Sequence, residues 1–238
     1  MFLKLGDVHW DSNQDVWSEL SEEVAINSSR SVVSLAVSDG NTVLSAFSGI
    51  AIECQGHVTR FLTSGSLVRA LNSKTKDHDN LKVEVHHEGN IVRGFLGEYD
   101  LDLGIAVVNV ITFLDVQVVH LSPVVEVELL PCSKVVAVGR GICGKLMATS
   151  GILTCDSSGS EDNEDLMLST CKICETWEGG PLFDIEGNFV GMNIFSVKES
   201  TVFLPSSIIL ERMDHFRTSL RRSKFLARLE SLKAVRYA

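Results

Sequence analysis

Short runs of alternating apolar and polar positions fill most of the chain. Ser31–Val37, Thr42–Phe47, Gly49–Glu53, Val58–Thr63, Leu81–Val85, Ile91–Leu96 and Ile105–Val110 each have strand length, and Gly, Asn and Asp turns separate them. After a bridge at 111–120 a second set follows: Val124–Leu130, Lys134–Gly139, Gly144–Ile152, Asp165–Thr170, Phe189–Phe195 and Thr201–Leu204. Two comparable sets of short strands predict an all-β chain of two antiparallel barrels. The polar, acidic interruption 156–165 is expected to be an exposed loop. Both ends read as helix. At the start, Ser12-Asn13-Gln14-Asp15 resembles a capping box, and Trp17, Leu20 and Val24 recur at helical spacing up to Asn27-Ser28-Ser29. After Pro205, Ile209, Met213, Phe216 and Leu220 form one stripe, expected to pack on the second barrel. Phe225, Leu229 and Leu232 form another, out of phase with it. The predicted organisation is an entry helix in 1–30, barrels in 31–115 and 116–205, and a basic helix in 206–238.

Composition narrows the classes. The 238 residues are 45% hydrophobic and 22% charged, as in a packed globule. No apolar run approaches the ~20 residues that span a bilayer, so no membrane partner is expected. The first residues, Met1 to Asp7, lack a long apolar core and predict no secretory signal, which favours an intracellular setting, cytoplasm or nucleus. The net charge is −10; from Glu211 onward eight Lys/Arg stand against three Asp/Glu, a local +5 that leaves −15 for the rest. An acidic body is a poor nucleic-acid binder. The basic tail reads first as a solvated helix face.

Six cysteines are too sparse for a disulfide scaffold and are expected to be reduced thiols in barrel strands. Cys171 and Cys174 form a C-x-x-C, which leaves open a metal- or redox-dependent role. A zinc site needs about four ligands, and no second such motif exists, so neither a metal nor a cofactor is expected.

The most specific stretch is Trp177-Glu178-Gly179-Gly180-Pro181-Leu182-Phe183-Asp184, followed by a turn at Glu186-Gly187-Asn188 and the apolar run Phe189-Val190-Gly191-Met192. Apart from Glu178 it resembles the nucleophile loop of trypsin-like serine proteases. Other pieces follow in the order of the HtrA (Do-like) branch. Ser48–Ile52 resembles the strand opening the first barrel, Phe61–Val68 the segment carrying the histidine, and Asp100–Val110 the segment carrying the aspartate. Val138–Ile152 resembles the hairpin opening the second barrel, Asp165–Asn193 the nucleophile region, and Val202–Pro205 the strand before the last helix. The resemblance covers residues 30 to 216 and implies two six-stranded barrels sharing a cleft, with no room for the PDZ domain common in that branch.

Carried over one by one, the histidine position falls on Ser66, the aspartate on Gly104 and the serine on Glu178. None holds the residue the mechanism requires. A local slip could bring Asp100 or Asp102 to the aspartate position. No histidine (His9, His57, His78, His86, His87, His120, His215) falls in the histidine segment, and His86 and His87 read as solvent-facing or edge positions. Thr176 stands where the family has an oxyanion-loop glycine, so the former oxyanion hole, Thr176 and Glu178, is expected to be impaired. Glu178 is either a tolerated solvated carboxylate or a plug in that hole. The resemblance implies a catalytically dead protein, a pseudoprotease without catalytic residues. It would bind a protein or extended peptide along the strand edge Met192, Asn193, Ile194 and Phe195. Homo-oligomers are compatible with it. The alternative is an active serine-type endopeptidase with unorthodox residues. Triad-deficient relatives without PDZ domains are those of plant genomes, which implies a plant regulatory or defence-related binding role.

Overall fold

The computed structural model describes residues 16–17, 20–73, 81–121, 130–154 and 165–220. The first six strands are β1 (Val32–Ser38), β2 (Val43–Gln55), β3 (Val58–Ser64), β4 (Lys82–His87), β5 (Asn90–Asp100) and β6 (Ile105–Val110). They close into an antiparallel barrel in the order β1-β2-β3-β6-β5-β4, sealed by β1 against β4 from Ser34–His86 to Ser38–Lys82. The next six are β7 (Lys134–Arg140), β8 (Leu146–Ile152), β9 (Met167–Ser169), β10 (Pro181–Asp184), β11 (Phe189–Val197) and β12 (Ser200–Pro205). Their order is β8-β7-β10-β11-β12-β9. The outer strands meet through a Leu153–Ser169 bridge and the Thr170 N–H to Ile152 carbonyl bond of 2.9 Å, so this sheet too curls into a barrel.

Strand alternation assigns side chains to three cores. Val33, Leu35, Val37, Phe61, Val83, Val85, Val108 and Val110 fill the first barrel, and Val135, Ala137, Leu182, Val190 and Phe203 the second. The intervening positions Ile50, Ile52, Leu62, Ile105, Val107, Val136, Val138, Met192 and Ile194 meet between the barrels. Strands apolar on both faces therefore line that junction, which is why Ile105–Val110 and Lys134–Gly139 read as nearly continuous hydrophobic runs.

Among the described residues three helices flank the barrels: the first and last pack on the junction and the middle one on the first barrel. Helix α1 (Glu22–Ser31) starts at Ser21, whose Oγ accepts from the Val24 N–H; the expected cap at Ser12–Asp15 lies outside the described residues. Ser21 takes the role because Glu22 and Glu23 fill the first turn, where the helix dipole favours carboxylates. Helix α2 (Ser66–Asn72) follows β3 after a single glycine. Helix α3 runs over 206–220 and buries Ile209, Met213 and Phe216 in the junction core rather than on the second barrel alone. Its Arg212 pairs with Asp100 at 3.2 Å and its Arg217 with Glu53 at 3.8 Å, both on the first barrel. Leu220 is exposed, and the second stripe from Phe225 lies outside the described residues.

Other expectations shift locally. Thr42–Phe47 and Gly49–Glu53 are one strand, β2, because Gly49 serves packing and not a turn: a Cβ there would lie 2.8 Å from Leu35 Cδ1. Val124–Leu130 falls almost wholly outside the described residues, as does most of loop 156–165. Of the described cysteines only Cys54 lies in a strand; Cys132, Cys143, Cys171 and Cys174 sit in connections.

Candidate functional site

Residues 175–180 form a tight passage whose backbone bonds tie the two barrels together. Glu175–Trp177 make one 3-10 turn, and the Glu178 N–H donates to the Glu175 carbonyl at 3.2 Å. The Glu178 carbonyl accepts from the Ser48 N–H at 2.9 Å, Gly179 N–H donates to Asn193 O at 2.8 Å, and Asn193 N–H donates to Gly180 O at 2.9 Å. Ser48 is the bolt: its Oγ donates to Thr176 O at 2.9 Å and accepts from Arg140 N–H at 2.9 Å, and its carbonyl accepts from Thr63 Oγ1 at 2.7 Å. Gly179 has φ +84, and a Cβ there would fall 2.4 Å from the Ser48 oxygen. Trp177 is buried against Gly139, where a Cβ would lie 2.4 Å from the indole Cγ.

The three positions singled out by sequence converge. Ser66 opens α2 and its hydroxyl acts on Glu178. One residue earlier, Gly65 N–H donates to Gly104 O at 2.7 Å. Gly104 has φ +69, and a Cβ on it would touch only Ile194 Cγ2, at 3.7 Å. Burial raises the Glu178 carboxyl above the usual carboxylate range; hydrogen bonding from Ser66 and the charge of Arg69 pull it back, while Glu175 pushes it further up. No described histidine is among these influences.

Asp100 does not supply a replacement carboxylate. Its Oδ1 accepts from the Asp102 and Leu103 N–H groups at 3.0 and 3.1 Å, and its Oδ2 holds Arg212, so it builds the turn leading to Gly104. Asp102 is exposed. His86 is half-buried beside Glu84 at 3.4 Å. His87, expected at a solvent-facing or edge position, is buried: the end of β4 tucks it under the inter-barrel link, where Nε2 meets the Asp115 carbonyl at 3.1 Å.

Thr176 is half-buried, its Oγ1 3.2 Å from Cys174 Sγ and its carbonyl held by Ser48. The Glu178 amide, expected with Thr176 at the oxyanion hole, is engaged by the Glu175 carbonyl. Cys171 and Cys174 do not act as a unit. Cys171 is buried, with its thiol directed at the carbonyls of Val135 and Thr149 and burial pushing its pKa up to about 11, whereas Cys174 is exposed at the mouth of the loop. No group of three or more His, Cys, Asp or Glu that could hold a metal occurs among the described residues.

Met192 and Asn193, expected on an open strand edge, are interior. Met192 pairs with Pro181 on one side and Leu204 on the other, and the backbone N–H and C=O of Asn193 are taken by Gly180 and Gly179. Ile194 is buried at the Gly104 end of the cleft. Only from Phe195 does β11 emerge: Phe195 and Val197 are exposed, and β10 accompanies β11 no further than Met192. Sequence reasoning also passed over Ser48, Arg69 and Arg140. Ser48 opens the Ser48–Ile52 stretch already named, but nothing in its letter signals a bridge to residue 176.

Two barrels with a glycine-bound loop at their junction define a trypsin-like peptidase architecture. The sequence profile of the trypsin-like peptidase domain matches residues 47–192, more than half of the chain, and the chain belongs to that family. Among solved structures it is similar to the inactive form of a serine-to-alanine mutant of Rv3671c from M. tuberculosis H37Rv, with a TM-score of 0.63 and 15% identity over 84% of this chain and 92% of that one. No curated protein matches the chain.

Proposed function

We propose that this chain is an HtrA-type pseudoprotease: a trypsin-like fold that does not hydrolyse peptide bonds and whose cleft holds a protein or an extended peptide. The observation that carries the reading is the chemistry of the convergence point, a serine hydroxyl, a half-buried carboxylate and a glycine where acyl transfer needs a base, a nucleophile and an orienting carboxylate. No described histidine stands beside Ser66 to take its proton, and the carboxylate its hydroxyl faces, Glu178, occupies the position of the nucleophile rather than that of a base. The Glu178 N–H bond to Glu175 removes one oxyanion donor, and the carboxylate itself opposes the charge that would develop there. Glu178 thus reads as a plug held by Ser66 and Arg69.

Peptide binding needs none of these groups, because strand addition uses main-chain bonds. The segment offered for it is Phe195–Val197, which continues β11 beyond its bonds to Gly179 and Gly180. The test of the first half is a fluorophosphonate probe with a peptide-library digest. The intact chain and Glu178→Ser are both expected to be silent, since losing triad members typically costs about 10⁴- to 10⁶-fold in turnover. Labelling of Ser64 or Ser66, or cleavage by the single variant, would establish the rival reading of an active serine endopeptidase.

A further inference from the structure

His87 is 2% exposed and sits where four parts of the fold meet. Its Nε2 faces the Asp115 carbonyl, which can only accept, so in the neutral ring the hydrogen is on Nε2 and Nδ1 carries the lone pair. Nδ1 is buried with no hydrogen-bond partner. The Val32 carbonyl of β1 also bears on the ring, but it already accepts the Arg140 Nε–H at 2.6 Å. Arg140, from β7, is itself buried, and its other donors hold Gly144 O at 2.9 Å and Ser29 O at 3.2 Å. The remaining charges are peripheral: Glu88, mostly exposed and 3.7 Å from Arg140; the Arg30–Asp115 pair joining α1 to the link; and His86 with Glu84 on the other face of β4.

We propose that His87 is a proton-operated latch on the inter-barrel link, fastened while the ring is neutral and released when a second proton arrives on Nδ1. That proton would be buried beside the Arg140 guanidinium, offset only by the Val32 carbonyl, which Arg140 already occupies, and by the mostly exposed Glu88. Both burial and Arg140 hold the His87 pKa below its ordinary 6.5. The sign follows: the unfastened state binds the proton more readily, so acid favours it and the latch is closed above the ordinary histidine value. Release frees Asp115 and with it the segment whose Gln117 N–H donates to Arg30 O at 3.1 Å and whose Val119 N–H donates to Ala51 O at 2.8 Å. The link is the covalent connection between the barrels, so its release gives the junction and the cleft at its mouth a pH-dependent freedom.

The experiment is amide hydrogen exchange of the full chain, following Gln117 and Val119 from about pH 7.5 to about pH 5 after correction for intrinsic exchange. Protection of these two amides is expected to fall by about tenfold per pH unit between the two histidine pKa values, while barrel-core amides such as Leu62 change far less. His87→Gln, whose side-chain amide can still donate to Asp115, is expected to hold protection constant with pH. Wild-type protection that does not change with pH, or a variant that loses it as the wild type does, would overturn the latch. Should the variant not fold, the His87 titration by NMR in the wild type decides: a pKa below 6.5 with the Nε2–H tautomer supports it, and a pKa at or above 6.5 refutes it.

Discussion

Gly179→Ala isolates what the passage through the cleft requires of the backbone. At φ +84 an alanine bears the left-handed strain of about 1–2 kcal/mol. Its methyl would also lie 2.4 Å from Ser48 O, 2.5 Å from Ser64 N and 2.6 Å from Thr63 Oγ1. Two of these are backbone atoms of paired strands and cannot swing aside, so an overpacking cost of about 1–3 kcal/mol adds to the strain. Gly56 supplies the control: its φ is +64, yet a Cβ there meets nothing within 4 Å, and Gly56→Ala should cost the strain alone. The expected gap is about 2 kcal/mol, which for a chain of this size is ~4–8 °C in Tm. Urea unfolding and thermal melts of both variants measure it. If the two lose equal stability, the loop is not pinned to Ser48 as described and the geometry of the site is wrong.

Three further outcomes follow from the same contacts. Glu178→Gln should stabilise the protein at neutral pH and lose that advantage on acidification toward the ordinary carboxylate value; a folded-state pKa raised by burial means the native state binds the extra proton, so the wild type gains stability as pH falls through that window. Thermal melts across pH check this, and a variant less stable than wild type at pH 7 would refute it. Arg140→Met should cost about 3 kcal/mol, because the carbonyls of Val32, Ser29 and Gly144 lose their donor, and Arg140→Lys should recover only part of it, as read by urea unfolding. Phe195→Asp should abolish capture of peptides from an immobilised library without moving Tm, since the ring is 40% exposed; unchanged capture would move the search away from the cleft.

Much of this architecture was legible because strand chemistry is local. The alternation in Val32–Ser38 and the run Ile105–Val110 announced their strands, and the Gly179-Gly180-Pro181 passage announced a backbone that only those residues tolerate. Its two glycines nevertheless answer different needs. Gly179 has the left-handed angle, whereas Gly180 is required for space, with Val138 O 2.4 Å from a would-be Cβ. What stayed hidden was long-range. Ser48 bonds residue 176 across 128 positions, and Arg140 reaches Ser29 across 111, and neither has a periodicity to betray it. Met192 and Asn193 were misread for a related reason: a strand shows its alternation in sequence but not which neighbours pair with it. The pairing that buries them comes from β10 and β12 and from the loop glycines.

The bonds holding the 175–180 passage are nearly all backbone, and this separates the architecture from the chemistry it can host. Ser48 grips the carbonyls of residues 176 and 178, and Asn193 grips the amide of 179 and the carbonyl of 180; none of these bonds depends on the side chain at 178. A serine, a glutamate or a glutamine there leaves the same glycines under the same steric constraint and Trp177 in the same pocket over Gly139. The side chain at 178 instead sets the charge at the head of the cleft, and Ser66 and Arg69 from α2 respond to it. At Gly104 the same separation appears in reverse. The left-handed turn built by Asp100 carries no side chain to the cleft, although Ile194 Cγ2 at 3.7 Å leaves room for one. Installing an aspartate there would therefore meet backbone strain of about 1–2 kcal/mol rather than a clash. A triad built in as Ser66→His, Gly104→Asp and Glu178→Ser is thus limited less by space than by the residue 178 amide, which must leave the Glu175 carbonyl before an oxyanion can be held.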